Sequence, residues 1–160
     1  VNILQPGVGV GGHCIAVDPW FIVSQDPKNA RLIKVSREVN NYKTDWVLSQ
    51  IKACADELLT KLGRPPQIVC FGLAFKPDID DLRESPALRV ANDLQECGYK
   101  VMAVEPNIKV HDKIKLINLE SAEEKADLVV LLVKHKQFCK PSFKQNLKKA
   151  KVLDFCGGLY

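Results

Sequence analysis

The residues best suited to chemistry lie in one short stretch near the start of the chain. The run PGVGVGGHCIAVDP, residues 6–19, brings together a thiol at Cys14, an imidazole at His13 and a carboxylate at Asp18. It also holds four of the nine glycines in the 160 residues, and glycines let main-chain N–H groups approach a bound group closely. A thiol in such a loop is a nucleophile when its thiolate is stabilised and reachable. The alternative interpretation is a tight turn followed by a cysteine that is buried as a small hydrophobe.

Two basic residues form a second candidate site. Lys76 and Arg83 follow the apolar run 68–75, within the charged connection FKPDIDDLRESP. The run is expected to be a strand buried on both faces, and ligands collect beyond the carboxyl ends of parallel strands. Arg and Lys are the usual partners of phosphate groups, although surface salt bridges with the neighbouring acidic residues would explain them equally well. The connection lacks G-x-G-x-x-G, so we expect no ordinary dinucleotide fingerprint in this chain.

Composition limits the class of protein. With 46% hydrophobic residues, the chain can bury a core for one domain, or for one domain with an appendage. It begins at Val1, which indicates a fragment or processed piece. No apolar run reaches the roughly 20 residues that cross a bilayer, and no signal peptide is recognisable, so we expect no membrane association. The six cysteines are spread singly, which argues against a metal site and against disulfides, and favours reduced thiols in the cytoplasm.

The net charge of +4 is concentrated in the last third of the chain. Residues 107–160 carry eleven Lys against six acidic residues, a net charge of +5. Nucleic-acid binding would require a basic stripe with a recognition helix or stacking aromatic side chains. The lysines of 134–151 are instead expected on loops and one short amphipathic helix, with few aromatics between them. We interpret them as a solvated surface and expect no nucleic-acid partner.

Three parts are expected along the chain: a loop segment over 1–26, a central helix over 27–63, and a larger domain over 64–160. Asp26 and Pro27 resemble an N-cap and a first helical turn. Apolar residues then recur every three or four positions until the glycine at position 63. A helix of about 35 residues far exceeds the usual mean of about 11–12, so it is expected to join two domains or to form the seam of a homodimer.

Strands alternate with helices in the larger domain. Ser85 and Pro86 are expected to begin a helix that ends at Gly98. Short apolar runs that suggest strands occupy 68–75, 99–106, 115–119, 127–133 and 151–155. This alternation predicts an α/β fold, in which the long central helix leads into a Rossmann-like domain with a parallel sheet.

Three long motifs, PGVGVGGHCIAVDPWFI, SREVNNYK and FGLAFKPDIDDLRESPA, together resemble the UDP-glucose/GDP-mannose dehydrogenase family. The resemblance is strongest to its bacterial members that act on UDP-N-acetyl-D-mannosamine. It covers essentially the whole chain, but only the C-terminal part of such an enzyme, without the N-terminal NAD-binding domain. It implies a homodimeric, NAD-dependent enzyme of surface-polysaccharide synthesis that oxidises the primary alcohol of a UDP-sugar to a carboxylate in two hydride transfers.

The resemblance also implies roles for individual residues. Cys14 matches the nucleophile that forms a thiohemiacetal and then a thioester, and Asp18 matches an aspartate that assists the hydrolytic water. The chain alone is then expected to be inactive, because the part that binds the hydride acceptor is missing. Two alternatives stay open. The chain is a nucleotide-sugar-binding or dimerisation module without turnover, or the parent enzyme acts on UDP-glucose or another UDP-sugar.

The remaining roles implied by the resemblance concern binding. Gly11, Phe75 and Lys76 match residues that contact the UDP-sugar, and Arg83 matches an arginine that reaches NAD from the second domain. One position departs from the family pattern, because Cys156 stands where a basic residue commonly precedes glycine. This substitution is expected to remove a substrate contact.

Overall fold

The computed structural model describes residues 5–140, 143, 147 and 150–159, and over these residues the chain is an α/β fold. The helices are α1 at Asp18–Gln25, α2 at Arg31–Leu62, α3 at Pro86–Glu96 and α4 at Leu119–Lys125, with one 3₁₀ turn at Lys136–Cys139. The strands are β1 at Gln67–Phe71, β2 at Lys100–Val104, β3 at Lys115–Leu116, β4 at Leu128–Leu131 and β5 at Lys151–Asp154. They form one parallel sheet in the order β3-β2-β1-β4-β5 within the described ranges. The predicted α/β class is therefore confirmed.

The central strand β1 is buried on both faces, as its continuous apolar run predicts. Ile68 and Cys70 pack in the core on the side of α2 and α3. Val69 and Phe71 point the other way, into a second core cluster with residues of α4 and the 3₁₀ turn. Because β1 lies between β2 and β4, the carboxyl ends of these three strands meet at one edge of the sheet, where a ligand site is expected.

β1 and β2 are shorter than their apolar runs predict. β1 ends at Phe71 rather than at residue 75, because Gly72 adopts a φ of +88°. The N–H groups of Leu73 and Ala74 then donate to the carboxylate of Glu105 instead of to a neighbouring strand. Similarly, β2 ends at Val104 and not at residue 106. Residues 72–85, which we call the Lys76 loop, therefore form a long connection over the edge of the sheet.

The central helix begins later than its sequence predicts. Asp26 was expected to cap a helix that starts at residue 27, but α2 begins at Arg31 and runs for 32 residues to Leu62. The Asp26 carboxylate does accept hydrogen bonds from the backbone and side chain of Asn29. This capped turn ends before α2 begins, so it separates α2 from α1. The predicted stop is confirmed, because Gly63 caps α2 in the left-handed conformation.

α2 has a buried half and an exposed half. Val47, Ile51 and Cys54 in its second half are buried in the core that α3 also contributes to. The apolar residues of its first half are exposed instead: Leu32, Val35, Val39, Tyr42 and, in part, Trp46. We call these five the α2 stripe. In the described part of the chain, no helix combines the length and apolar character required to cross a membrane.

The helix that begins with Ser85 and Pro86 is confirmed. Ser85 is the N-cap of α3, its hydroxyl accepts from the N–H of Leu88, and the chain turns away at Gly98 with φ +86°. The stretch 134–151, in which one short amphipathic helix was expected, includes positions 141–142, 144–146 and 148–149, which lie outside the described residues. The first four residues of the predicted 1–26 segment also lie outside them.

Candidate functional site

The glycine-rich stretch, residues 7–12 (the glycine loop), is held against α2 by polar side chains. The Asn40 side chain bonds to both backbone groups of Val10: it accepts from the N–H at 2.7 Å and donates to the carbonyl at 3.2 Å. Arg37 donates to the same carbonyl at 3.3 Å, and the Thr44 hydroxyl donates to the carbonyl of Val8 at 2.9 Å. Residues 37, 40 and 44 share one face of the helix because they are spaced by three and four positions. The loop conformation is therefore fixed from the helix side.

Two glycines allow this loop to contact the Lys76 loop closely. A Cβ at Gly11 would overlap the carbonyl oxygen of Glu84 and would lie 2.6 Å from Cδ of Pro86. Gly12 has φ +95°, and a Cβ there would lie 2.9 Å from the ring of Phe75. Only glycine fits at contacts of this kind. The spacing of glycines in the sequence thus reflects close packing between two loops, which brings their functional residues together.

The Cys14 thiol lies on a helical turn that leads into α1. The carbonyl of Cys14 accepts hydrogen bonds from the N–H groups of Val17 at 3.1 Å and Asp18 at 2.8 Å. The Cys14 and Asp18 side chains are both exposed, so the alternative of a buried, inert cysteine is wrong. The Asp18 carboxylate makes no hydrogen bond or ion pair with the described part of the chain. It is available to a water or a ligand at the surface.

Arg83 faces this turn from the Lys76 loop. Its guanidinium pairs with the Asp81 carboxylate, with Nη2 and Oδ2 2.6 Å apart, so the salt-bridge interpretation holds for Arg83. Hydrogen bonds from Arg83 lower the pKa of Asp81 to about 2, with a weaker contribution from His13. Asp81 in turn raises the pKa of Arg83, and Cys14 adds to this rise. The effect of Cys14 on the pKa of Arg83 indicates that the Arg83–Asp81 pair lies close enough to the thiol to interact with it electrostatically.

Lys76 behaves differently from Arg83. Its side chain is exposed and its Nζ lies 5.8 Å from the centroid of the Phe75 ring. Within the described residues it forms no ion pair, and two of the four acidic side chains of its loop have other partners. Asp78 pairs with Lys136, and Asp81 pairs with Arg83. For Lys76 the salt-bridge interpretation is therefore wrong, and its charge is free to meet a ligand.

A cavity of about 400 Å³ opens between the glycine loop and the Lys76 loop, at the carboxyl ends of β1 and β4. Gly11, Phe75 and Lys76, which the sequence assigns to substrate contact, all line this cavity. Cys14, Asp18 and Arg83 do not line it; they lie beside it, and the neighbour of Cys14, Ile15, forms part of the wall. The structure thus separates a binding cavity from a more exposed group of reactive residues at its margin.

Cys156 and Lys134 together line the end of the cavity near β5. Burial and the nearby Asp154 carboxylate raise the pKa of the Cys156 thiol to about 12, so the thiol stays neutral. Lys134 follows β4 and donates from Nζ to the carbonyl of Gly157 at 2.9 Å. A cation is therefore present one residue away from the position where Cys156 replaces a basic residue.

Lys134 was placed on a solvated surface by its sequence, and the structure corrects this. It is half-buried and faces the cavity. The signal was available, because Lys134 directly follows the buried run 127–133 and so stands at the ligand-binding edge of the sheet. Arg37, Asn40 and Thr44 were also missed as functional residues. Their signal was a set of polar positions at helical spacing on the face of α2 opposite the α2 stripe.

The letters G-x-G-x-x-G, which the connection after β1 lacks, do occur in the glycine loop. Gly7, Gly9 and Gly12 match these letters. In the structure, however, residues 5–12 are a loop anchored on α2, and a helical turn follows it. The dinucleotide fingerprint requires a strand before the glycines and a helix that begins among them. This loop is therefore a different structure, although its letters match.

Comparison with family models gives two matches. The model described as the UDP-binding domain of the UDP-glucose/GDP-mannose dehydrogenase family matches residues 69–159. The central-domain model of the same family matches residues 1–42. Together they cover both loops that surround the cavity.

Similar proteins carry related names. The UDP-N-acetyl-D-mannosamine dehydrogenase of Campylobacter jejuni is 50% identical over 98% of this chain, which spans 38% of that protein. The NDP-N-acetyl-D-galactosaminuronic acid dehydrogenase of Ralstonia nicotianae is 53% identical over 88% of the chain, and the match spans 33% of that protein. The solved UDP-D-ManNAc dehydrogenase of Pyrococcus horikoshii superposes with a TM-score of 0.80 at 28% identity, over 100% of this chain and 38% of that one. The chain thus spans little more than a third of the length of the relatives it matches.

Proposed function

Because the chain belongs to the UDP-glucose/GDP-mannose dehydrogenase family, we propose that it forms the nucleophile loop and the UDP-sugar-binding part of an NAD-dependent dehydrogenase. The proposed reaction converts UDP-N-acetyl-D-mannosamine to the corresponding uronate, for surface-polysaccharide synthesis. One observation carries the proposal: an exposed thiol lies beside a cavity at the carboxyl edge of a parallel sheet, and a lysine that forms no ion pair within the described residues lines that cavity. The six unpaired thiols of the chain fit a reducing compartment such as the cytoplasm.

In the proposed chemistry, Cys14 captures the aldehyde made by oxidation of the sugar's primary alcohol. Its Sγ bonds to the aldehyde carbon and the thiol proton passes to the carbonyl oxygen, giving a thiohemiacetal. Loss of a hydride and a proton gives a thioester, and water then breaks the C–S bond to release the carboxylate and the thiol. NAD, when bound, would supply the hydride acceptor for each of the two oxidations. A covalent intermediate keeps the reactive aldehyde on the protein, and the free carboxylate of Asp18 is suited to orient the water.

The cavity suits a nucleotide diphosphate sugar. Lys76 and Lys134 are the two cations among its described lining residues, and ammonium groups bind phosphate oxygens well. Phe75 offers an aromatic face beside Lys76, and the glycine loop offers backbone groups. We propose that the diphosphate lies between the two lysines, with the sugar directed towards the turn that carries Cys14.

Arg83 fits a role towards NAD. Its side chain is largely exposed and it lies beside Cys14 rather than in the cavity. A planar guanidinium suits the phosphate or carboxamide oxygens of a dinucleotide. In this position Arg83 would hold the cofactor close to the carbon that is bound to Cys14. The Asp81 pair keeps the guanidinium oriented until the cofactor arrives.

The identity of the sugar is the least constrained part of the proposal. The relatives at about half identity are named for mannosamine and for galactosaminuronic acid derivatives. The two sugar frameworks differ in configuration at the carbon that carries the acetamido group and at one hydroxyl carbon. A binding or dimerisation module without turnover is the second candidate, favoured by the fact that the match spans only about a third of each relative. Calorimetric titration with UDP, UDP-glucose and UDP-N-acetyl-D-mannosamine ranks the ligands in either case.

Turnover is tested with a protein that carries this chain together with the N-terminal portion present in the relatives. We expect NADH formation with UDP-N-acetyl-D-mannosamine, and we expect Cys14→Ala to lower acid formation by several orders of magnitude, as losses of nucleophiles do. Cys97→Ala is the matched control, because Cys97 is also exposed but lies at the end of α3. Mass spectrometry should find a sugar adduct on Cys14 alone. Turnover that survives in Cys14→Ala would refute the mechanism.

A further inference from the structure

A buried carboxylate supports the start of the Lys76 loop. The side chain of Glu105, directly after β2, is fully buried. Its Oε2 accepts from the N–H groups of Leu73 at 2.7 Å and Ala74 at 3.1 Å, and its Oε1 accepts from the N–H of Asn107 at 3.1 Å. A carboxylate is tolerated in the interior only when it is paired in this way. These bonds fix the backbone immediately before Phe75.

A buried histidine supports the middle of the same loop. His135 is 1% exposed and follows β4. Its Nδ1 lies 2.9 Å from the backbone nitrogen of Asp78, which is a donor, so Nδ1 accepts. The ring proton is then on Nε2, which faces Oε2 of Glu105 at 3.2 Å. With the proton on Nε2, His135 donates a hydrogen bond to Glu105, so the two buried side chains that support the loop are bonded to each other.

The two supports enclose the ligand-facing part of the loop. Glu105 holds residue 74, His135 holds residue 78, and the Glu105–His135 hydrogen bond closes the ring beneath residues 75–77. Asp78 has φ +60°, a conformation that non-glycine residues rarely adopt. Such a backbone persists when surrounding groups hold it, and here the imidazole of His135 and the N–H of Lys136 do so.

Burial alone could be explained by core packing, since His135 also contacts the Phe138 ring edge-on, with centroids 5.4 Å apart. Packing does not explain the choice of a group that accepts on one side and donates on the other. Hydrogen bonding from His135 and from the backbone N–H of Leu73 outweighs burial and keeps the pKa of Glu105 below its ordinary value. The Glu105–His135 pair therefore holds the loop through specific hydrogen bonds, with Glu105 ionised, and does not merely fill space in the core.

We propose that His135, through its bonds to Glu105 and to the Asp78 backbone, is a positioning residue that presents Lys76 and Phe75 to the diphosphate of a UDP-sugar. Neither His135 nor Glu105 lines the cavity, so the pair acts through the loop and not on the ligand. The inference rests on the proposed function for the identity of the ligand. It adds to that proposal the element that sets the affinity of the cavity.

The test measures the affinity of the 160-residue chain for UDP by calorimetry in three variants. His135→Phe keeps the ring shape and loses both hydrogen bonds. His135→Asn retains an acceptor close to the Nδ1 position, and His135→Gln retains a donor close to the Nε2 position. We expect His135→Phe to weaken UDP binding at least tenfold, His135→Asn to recover most of the affinity and His135→Gln to recover little of it.

Two controls separate positioning from general destabilisation. Phe143→Leu reduces packing in the second core cluster, where the Phe143 ring packs against Phe71 and Phe138. It leaves the hydrogen bonds of His135 in place and should lower the unfolding midpoint without changing UDP affinity. In a Lys76→Ala background, His135→Phe should cause a clearly smaller loss of affinity than in the wild type, because one of the two residues through which it acts is already gone. Equal losses with and without Lys76, or an affinity that follows stability in every variant, would overturn the proposal.

A readout without ligand separates this proposal from the proposed function. Hydrogen exchange of the Asp78 amide should be slow in the wild type and in His135→Asn, and fast in His135→Phe. If the wild type does not bind UDP, the proposed function fails, and the exchange pattern still decides whether His135 holds the loop. Slow exchange in all variants would refute the role of His135 whether or not UDP binds.

Discussion

Substitution of Gly11 by alanine tests whether the two loops pack as closely as the structure indicates. The added Cβ would overlap the carbonyl oxygen of Glu84 and lie 2.6 Å from Cδ of Pro86. Both atoms belong to the rigid start of α3, where Ser85 is the N-cap and Pro86 is fixed by its ring. Neither atom can rotate away as a flexible side chain would. The glycine loop has to move instead.

The size of the effect follows from what this movement breaks. Overpacking of a close contact commonly costs about 1–3 kcal/mol. Displacement of the loop also strains the hydrogen bonds of Val10 with Asn40 and Arg37, each of which contributes about 1 kcal/mol. We therefore expect Gly11→Ala to lower the free energy of unfolding by about 3 kcal/mol and to weaken UDP binding, because Gly11 lines the cavity.

Gly7→Ala is the matched control in the same loop. A Cβ at Gly7 has no neighbour within 4 Å, and the φ of Gly7 is not positive. At a site of this kind, Gly→Ala stabilises a protein by about 0.4–1 kcal/mol, because it restricts the unfolded chain. Urea unfolding and UDP titration of both variants give the answer. Equal stability and equal affinity of the two variants would show that the loops do not pack against each other as described.

Three further predictions concern assembly, ligand roles and pH. The chain should sediment as a homodimer of twice 17.9 kDa, in which the exposed α2 stripe of each copy is buried against the other. The double variant Val39→Lys, Tyr42→Lys should be a monomer. A wild-type monomer at micromolar concentration would exclude this assembly. In the protein that also carries the N-terminal portion, Lys76→Ala should raise KM for the UDP-sugar and Arg83→Ala chiefly that for NAD, each by roughly ten- to a hundredfold; loss of stability alone would favour plain salt bridges. Burial raises the pKa of Glu105, but hydrogen bonds lower it by more, so the pKa lies below its ordinary value of 4.5. The ionised Glu105 carboxylate therefore stabilises the fold above pH 4.5, and this contribution is lost as the pH falls through the lowered pKa. The stability gap between wild type and Glu105→Gln, measured by urea unfolding, should shrink from pH 6 to pH 3, and a constant gap would contradict a charged Glu105.

The sequence predicts the core elements well because their signals are local. The apolar run 68–75 contains β1, and Ser85 with Gly98 brackets α3 through capping chemistry that is read within a few residues. The predicted end of β1 and the predicted start of α2 were wrong for a physical reason. After Gly72, the N–H groups of Leu73 and Ala74 donate to Glu105 instead of to a strand, and Asp26 caps a separate turn with Asn29. Neither choice is encoded by apolar periodicity.

The candidate site was predicted in part. Cys14 and Lys76 stand out by type and neighbourhood, whereas Gly11 and Phe75 were assigned through the family resemblance. The structure places all four in or beside one cavity. Lys134 was missed although it directly follows the buried run 127–133, because the sequence does not show that β4 aligns beside β1. The partners of Asn40 and His135 are 30 and 57 residues away in sequence, so their roles emerge only when the sheet and α2 are assembled.

The buried polar side chains of the described residues form a pattern that packing alone does not explain. Five side chains with polar or charged groups are buried: Arg37, Thr44, Ser85, Glu105 and His135. Each of them bonds to the backbone of the glycine loop or the Lys76 loop. Burial of such groups is costly unless their geometry is satisfied, and apolar residues would fill the same space. The buried polar side chains therefore hold the two loops at a fixed separation. A cavity with a nucleophile at its margin requires this fixed separation.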